Sequence, residues 1–563
     1  NFSSRCCSSN DFGLHDSVSN VAFHDALSDC LKNVAARSNS EMRVSHINSF
    51  SISKNTRLPS DRFEAVLSLN EDDREKFEFQ DTSLRRTTRV ATVLRGCGRI
   101  FKNSVGSAST FGLSKETAHI HGFISHNWIT PRYRKFLTLA LHFNLFPAIT
   151  ATTAAMACIT ALEGFGFVPV YASPFGDSGI FCTLFGTPLF FLVTVAARDI
   201  GQSVGCSGPT VFLDKICIHQ TDPVQKRRGI ESLGAFLCES ELMLVVYGDV
   251  YLKKLWTIYE LASFLTLRSS TEIILLPAVT SPMVFFLSPV WYLAVALPHI
   301  LEMRSSKELR GWLIEGVCRG VGLMVLSWVL RRWARSREQA LKDLENFRVA
   351  NADCFCETDR LLVTDMIAKL MRARGYVKED ETTEHALLAF EHLVRKEVPP
   401  ALMAEFGDIG MPYSVVLIMF QTILWNMLDR VAGYWKDGCS LQHMCAYILY
   451  KTTMYFVLFP SAVLLADFIV TRKLNAVGWA RAALYAGVFM LCEPFIIVVP
   501  KQLWALKELA QSSMIALAIL LVVECISLAC VLALYRPCRR ARPVDYASLS
   551  VSSSSSDSDE SVA

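Results

Sequence analysis

The stretch that decides the fold comes in two pieces. Residues 119–126 read His119-Ile120-His121-Gly122-Phe123-Ile124-Ser125-His126, and residues 210–214 read Thr210-Val211-Phe212-Leu213-Asp214. In the first piece, Ile120 to Ser125 alternates and ends on polar His126-Asn127, the pattern of a strand feeding a loop. In the second, a short apolar run stops at Asp214 and leads through His219-Gln220-Thr221-Asp222 to Pro223. Two more such runs follow, Glu241 to Tyr247 and Glu272 to Leu276. Helical patterns lie between them over Pro131 to Phe143, Val224 to Leu237 and Tyr251 to Leu267. Thr130 is a fair cap for the first of these, Pro131 suits its first turn, and Phe136, Leu139 and Phe143 share a face. Continuous apolar strands alternating with helices predict a parallel sheet covered on both faces. In such sheets the ligand crevice lies beyond the carboxyl ends of the strands.

Membrane signals surround these pieces. A span needs about 20 mostly apolar residues, because backbone polar groups in hydrocarbon must be satisfied within a helix. Candidate windows are Leu145 to Leu162, Ile180 to Ala197, Met283 to Leu301, Trp312 to Trp333, the short Tyr413 to Leu428, Ala446 to Val470, Trp479 to Val499 and Met514 to Tyr535. Arg331, Arg332, Arg335 and Arg337 follow the fourth window, Arg472 and Lys473 the sixth, and Arg536, Arg539, Arg540 and Arg542 the eighth. If all eight span, these clusters share a side with the N-terminal region, and the 163–177 loop opposite carries no Lys or Arg. Arg304, Lys307 and Arg310 fall on the wrong side, yet the balance predicts both termini in the cytoplasm.

Composition agrees. The 563 residues are 51% hydrophobic and 19% charged, with 35 Phe and 10 Trp, and the mean hydropathy is +0.30. Average soluble domains carry roughly 25% charged residues. A net charge of +3 is too balanced to suggest nucleic acid. The 18 Cys are scattered and read as reduced thiols rather than a disulfide framework. Cys354-Phe355-Cys356 lacks the further ligands a metal needs. The chain opens on Asn1 instead of Met, so its true start is expected upstream.

The remaining segments are polar or helical. Residues 1–118 are Ser-rich and expected to be mostly disordered. Arg85 to Lys102 is the exception, where arginines alternate with Val90, Val93, Leu94 and Ile100; it reads as a basic amphipathic stretch on an anionic leaflet or as a solvated charged one. Residues 536–563 turn from basic to a Ser-rich acidic tail, also expected to be disordered. The expected division is a split α/β domain at 119–143 plus 205–278, membrane hairpins at 144–200 and 279–333, a cytoplasmic helical segment at 334–411 and spanning helices at 412–535.

Several short motifs resemble a known family. Gly122-Phe123-Ile124-Ser125-His126 is similar to the opening strand of TIR (Toll/interleukin-1 receptor) domains, and Phe212-Leu213-Asp214-Lys215 to their second strand. Leu255-Trp256-Thr257-Ile258-Tyr259-Glu260-Leu261 resembles the Trp-x-x-x-Glu-Leu pattern of their third helix. Residues 213–222 also resemble the Asp-x-x-Cys-Ile-x-Gln-x-Asp signature of heterokaryon-incompatibility domains. The whole arrangement is similar to uncharacterised multi-pass proteins of unicellular algae. The resemblance implies an α-helical multi-pass membrane protein of about seven or eight spans with an inserted flavodoxin-like, TIR-type α/β domain. It further implies signalling through self-association of such domains, or cleavage of NAD at the nicotinamide–ribose bond with NAD as substrate and no resident cofactor.

By that resemblance Glu260 is the catalytic carboxylate, and Ser125, His126, Asp214 and Trp256 line the dinucleotide site. Trp256 and Glu260 are four apart and stack on one helix face, where the indole would wall the carboxyl and raise its pKa by desolvation. The plainer readings stand beside these. A Glu in a half-apolar helix is ordinarily solvated, and a Trp there is ordinarily core. Asp214 is equally a charge at the start of the next helix. His126 and His219 are ordinary loop residues, and Cys217, between Ile216 and Ile218, is a packed thiol. The chain departs from the family in the hairpin that interrupts the domain and in the missing fifth strand after Leu276, which leaves a sheet edge for pairing between copies.

The rival expectation is an ion channel or transporter. Ionisable residues inside spans are expensive and point to function. Glu315 and Arg319 lie four apart in the fourth window, and Lys451, Glu493 and Glu524 lie in later ones. Lys451 is placed to snorkel, and Glu493 precedes Pro494, where a broken helix lines a cavity. No inverted repeat or row of charges accompanies them.

Overall fold

The computed structural model describes residues 77–173, 176–203, 208–267, 272–302, 308–354, 357–407, 410–471, 499 and 502–535, without the side chains of 202–203, 301–302, 308–316 and 319. The strands are β1 (Arg86–Arg89), β2 (Lys115–Glu116), β3 (Ile120–His126), β4 (Thr210–Phe212), β5 (Ser240–Tyr247) and β6 (Ile273–Pro277). They form one mixed sheet in the order β2-β1-β4-β3-β5-β6. At its centre β3 pairs in parallel with β4, Gly122 opposite Val211 and Phe123 opposite Phe212. On its other side β3 pairs in parallel with β5 from Ile120–Ser240 to His126–Val246, and β6 continues in parallel beyond β5. The two sequence pieces that decide the fold therefore lie side by side, although a helical hairpin separates them in the chain.

The helices that matter to this sheet and its neighbours are α1 (Val90–Gly98), α2 (Arg132–Gly164), α3 (Phe181–Ser203), α4 (Pro223–Glu231), α5 (Leu233–Glu239), α6 (Leu255–Leu267), α7 (Thr280–Glu302), α8 (Glu308–Glu345), α9 (Glu357–Ala373), α10 (Thr383–Phe406), α11 (Tyr413–Phe420), α12 (Thr422–Lys436), α13 (Leu441–Thr453), α14 (Phe459–Thr471) and α15 (Met514–Leu534). Asp222 caps α4 through bonds from the Val224 and Gln225 amides, and Ser232 breaks the expected Val224–Leu237 helix into α4 and α5.

Among the described residues, four helical stretches besides α2 are long and apolar enough to cross a membrane, and they are α3, α7, Leu441–Thr471 and α15. The pair α11 and α12, bent by 48° at Gln421, makes a sixth if counted as one span. These helices are compatible with an integral membrane protein. The expected window Trp479 to Val499 lies outside the described residues save Val499, and Trp312 to Trp333 lies within α8.

Two expectations are corrected. First, the Pro131–Phe143 helix and the Leu145–Leu162 window are one helix of 33 residues, with Pro147 inside it. A proline removes one backbone bond, and here the helix runs on through it. Second, within residues 1–118, expected to be mostly disordered, 82–116 contribute strands and helices beside the sheet, whereas 1–76 lie outside the described residues. Thr88 of β1 pairs antiparallel with Val211 of β4, and β2 pairs with β1. Val90, Val93 and Leu94, read as facing a leaflet or as part of a solvated stretch, are buried in the protein core with Phe101, and Ile100 is half-buried. Gly98, at φ +66°, lets α1 approach α2: a Cβ there would lie 2.9 Å from that of Phe136. Of the two sheet edges, one ends on the short, charged β2, a common protection against further pairing, and the other is β6, against which α10 packs and beyond which no strand pairs among the described residues.

Aromatic rings fill the space between β3, β4 and α5. Phe123 stacks on Phe212 at 4.7 Å, Phe212 meets Phe236 at 4.2 Å, and Phe236 meets Phe79 edge-on at 4.8 Å. Phe212 is fully buried. Phe212→Ala is therefore expected to destabilise by about 3–5 kcal/mol, whereas Tyr133→Ala, at a side chain 53% exposed, should stay within about 0.5 kcal/mol. Thermal unfolding of the detergent-solubilised variants checks both.

Candidate functional site

The carboxyl end of β3 meets the N-terminal half of α6. The Ser125 hydroxyl donates to Glu260 Oε2 at 2.5 Å and lies 2.7 Å from the Tyr251 hydroxyl. A serine hydroxyl has one proton, so with Ser125 donating to Glu260 the Tyr251 O–H donates to Ser125. Two bonds from the Thr257 hydroxyl, to the carbonyls of Tyr251 and Lys254, fasten the preceding turn onto α6. Asn127 donates to the Val250 carbonyl at 3.0 Å and ties the loop after β3 to the same turn. The three side chains thus come from three elements locked to one another.

Ser125 and Tyr251 are buried and Glu260 is half-buried. Removal from water pushes the Glu260 carboxyl up to about 8; the Ser125 bond opposes this shift and the Asp214 charge adds to it. At neutral pH this carboxyl is mostly protonated. Burial also holds the Tyr251 phenol well above its ordinary range, with the Glu260 charge acting in the same direction.

Asp214 begins the first turn after β4 and sits in a second, adjoining cluster. Its Oδ2 accepts the Trp128 indole N–H at 3.1 Å, and its Oδ1 accepts the Lys215 amide at 2.7 Å. Lys135 Nζ donates to the Asn127 carbonyl at 3.1 Å and lies 4.7 Å from the Trp128 ring. Lys215 Nζ lies over the same ring at 5.6 Å and donates to the Ile100 carbonyl and to both the carbonyl and the amide oxygen of Asn103. An indole between two ammonium groups gains cation–π attraction, and Asp214 supplies the opposite charge. Burial raises the Asp214 carboxyl pKa, against the bond from Trp128. Burial likewise lowers that of Lys215, and Asp214 counters it.

His126 is buried edge-on to Trp128 and Phe101 at 4.6 and 5.3 Å. Its Nε2 has no hydrogen-bond partner among the described residues, and burial holds its pKa well below the ordinary value, so the ring stays neutral. His219 accepts the Asp222 amide on Nδ1 at 2.9 Å and so fixes its loop. Cys217 is a packed thiol, pushed up to about 12 by burial. Trp256 donates to Asp359 Oδ2 at 3.2 Å and meets Tyr259 edge-on. The structure therefore brings Ser125 and Glu260 together, places Asp214 and His126 around Trp128 beside them, and turns Trp256 toward α9.

Tyr251, Trp128, Lys135 and Lys215 carry this geometry and were not singled out from the sequence. Trp128 had a usable signal, since a Trp two residues beyond a strand's carboxyl end falls where the crevice is expected. A small cleft also opens at the ends of β5 and β6, lined by Arg134, Tyr247, Asp249, Gln339, Asp343 and Phe406. Of the membrane-window residues, Glu524 is buried and Lys451 lies over the rings of Tyr447 and Tyr450. Glu493 and the side chains of Glu315 and Arg319 lie outside the described residues.

The carboxyl of Glu260 has a pH signature. Its pKa is raised from 4.5 to about 8 on folding, so between these values the native state holds a proton that the unfolded state has released. Its contribution to stability is thus full below about 4.5 and falls as pH rises to about 8, by at most about 1.4 kcal/mol per pH unit. Glu260→Gln keeps the neutral shape and should flatten that part of the wild-type profile, measured as thermal unfolding between pH 5 and pH 9.

Protein-family models, curated proteins and solved structures were compared with the chain, and none of them matches it.

Proposed function

We propose that this chain is a membrane-anchored signalling or interaction protein whose α/β domain is TIR-like. The observation that carries this reading is the continuity of the sheet with the helical bundle. Five residues separate the end of β3 from α2, and α2 is both the helix that covers the sheet and a candidate span. At the far side of the sheet, β6 runs into α7 after two residues. A shift of α2 would thus move the strand end that carries Ser125, and a shift of α7 the end of β6. The order of the parallel strands, second-first-third-fourth in the chain, supports the flavodoxin-like assignment, since that order continues as 2-1-3-4-5 in such sheets.

On this reading the reaction the domain would host is cleavage of NAD. The C1′–N bond breaks with its electron pair leaving on nicotinamide, and water captures the ribosyl oxocarbenium and releases a proton. An ionised Glu260 beside C1′ would stabilise that cation. Because the free carboxyl titrates near 8, nicotinamide release should rise as pH passes through that value. Glu260→Gln should lower it at least about 100-fold, and Trp256→Ala should lower it far less. Nicotinamide measured by chromatography decides. Release that survives Glu260→Gln removes the catalytic assignment, and no release from the wild type leaves interaction as the domain's role.

The second reading, conduction or transport, draws on the acids Asp467 and Glu524, which are buried on α14 and α15. Ion flux into liposomes that falls on Asp467→Asn or Glu524→Gln would favour it.

A further inference from the structure

The end of the bundle remote from the sheet holds another group of reactive side chains. Glu163 is the penultimate residue of α2, Cys182 is the second of α3, and Asp429 lies midway along α12. All three are 0% exposed, and one ligand atom from each lies within 4.8 Å of the other two. Asp429 has an ordinary occupation, because its Oδ1 and Oδ2 accept the Cys182 and Thr183 amides at 2.8 and 2.7 Å and cap α3. Glu163 has none. Its carboxyl lies near the amides of Ile180 and Phe181, yet neither oxygen has a hydrogen-bond partner among the described residues. The loop before α3 comes this close only because residue 179 is glycine: a Cβ there would collide with the Glu163 carboxyl.

Charge makes the arrangement incomplete. Neither acid pairs with a Lys or Arg among the described residues. Arg430, next to Asp429, donates from Nη1 to the Ser173 hydroxyl and the Gly176 carbonyl instead. Two carboxyl groups this close and this buried need either a shared proton or a cation. A shared proton involves the two acids alone. A cation also takes up the thiol, for Cys182 Sγ makes weak 3.5 Å contacts to the Thr160 hydroxyl and the Met156 carbonyl and faces the Asp429 carboxyl. One thiolate and two carboxylates form a borderline-soft ligand set of the kind that holds zinc, with the fourth tetrahedral position left to water. The exposed group His119, His121 and Glu241 is different, since Glu241 already engages both imidazoles at 3.1 and 2.6 Å.

We propose that Glu163, Cys182 and Asp429 bind one divalent transition-metal ion of the zinc class, which fastens α2, α3 and α12 together at that end of the bundle. His299, whose Nε2 meets the Gly179 carbonyl at 3.2 Å, would steady the loop that presses against Glu163.

The test uses the full chain in detergent, stripped of metal and titrated with Co²⁺ as an optical probe. Wild-type protein should take up one Co²⁺ with a sulfur-to-cobalt charge-transfer band, and Zn²⁺ should displace it. Cys182→Ser should lose that band, and Glu163→Gln should weaken uptake at least about 10-fold. Zn²⁺ should also raise the unfolding temperature of the wild type and leave that of Glu163→Gln unchanged. No uptake and no thermal shift in the wild type would overturn the proposal, as would an unchanged band in Cys182→Ser or unchanged uptake in Glu163→Gln. Asp429→Asn is a poorer probe because it disturbs the α3 cap. Glu163→Gln keeps the side chain's size and an oxygen to face the nearby Ile180 and Phe181 amides, and carries the decision.

Discussion

The chain leaves the sheet at His126 and returns to it at Thr210, and between these points it runs through α2 and α3. The parallel pairing of β3 with β4 closes that excursion. Loop closure over such a length costs entropy before any contact repays it, so the ends must be held by something other than two or three backbone bonds. The buried stack of Phe123 on Phe212, continued through Phe236, supplies it. Most of the local architecture depends on that closure. β1 needs β4 as its template, and α1, which follows β1, needs α2 and α3 as its floor.

Much of the fold was legible because its signals are local. The apolar runs at 210–213, 241–247 and 272–276 form strands, and hydropathy alone marks the long apolar helices. What escaped depended on partners distant in the chain. Arg86-Thr87-Thr88-Arg89 has no apolar residue, so nothing in it announces a strand until β4 offers an edge. The arginine-rich stretch after it looks amphipathic in isolation. Its apolar side is buried, but against protein rather than lipid. The single helix α2 was divided because Thr130-Pro131 marks a start so clearly that Leu145 looked like another, while nothing between them marks an end.

The site shows the same division. Ser125 and Glu260 could be named from strand and helix motifs, and they meet. Spacing along α6 placed Trp256 beside the carboxyl, but a helix face is broad, and the indole finds Asp359 on α9. Tyr251 and Trp128 take their roles from the packing around them, from a hydroxyl brought to Ser125 and a ring caught between Lys135 and Lys215. No pattern within a single segment encodes such meetings.

Two buried glutamates make the contrast that matters most. Glu260 is served by a hydroxyl relay, with Oε2 accepting from Ser125 and Ser125 in turn meeting Tyr251. Glu163 has no such service and shares its surroundings with a second acid and a thiol. A carboxyl kept neutral by burial, with a hydroxyl ready to donate to its charged form, can wait for a cationic partner that comes and goes. One kept without bonds beside another acid is stable only while a proton or an ion stays. Lys135, in the cluster beside Glu260, and Glu163 belong to the same helix, about 40 Å apart at about 1.5 Å per residue. Whatever fixes the far end of α2 therefore also sets where its near end holds the loop after β3.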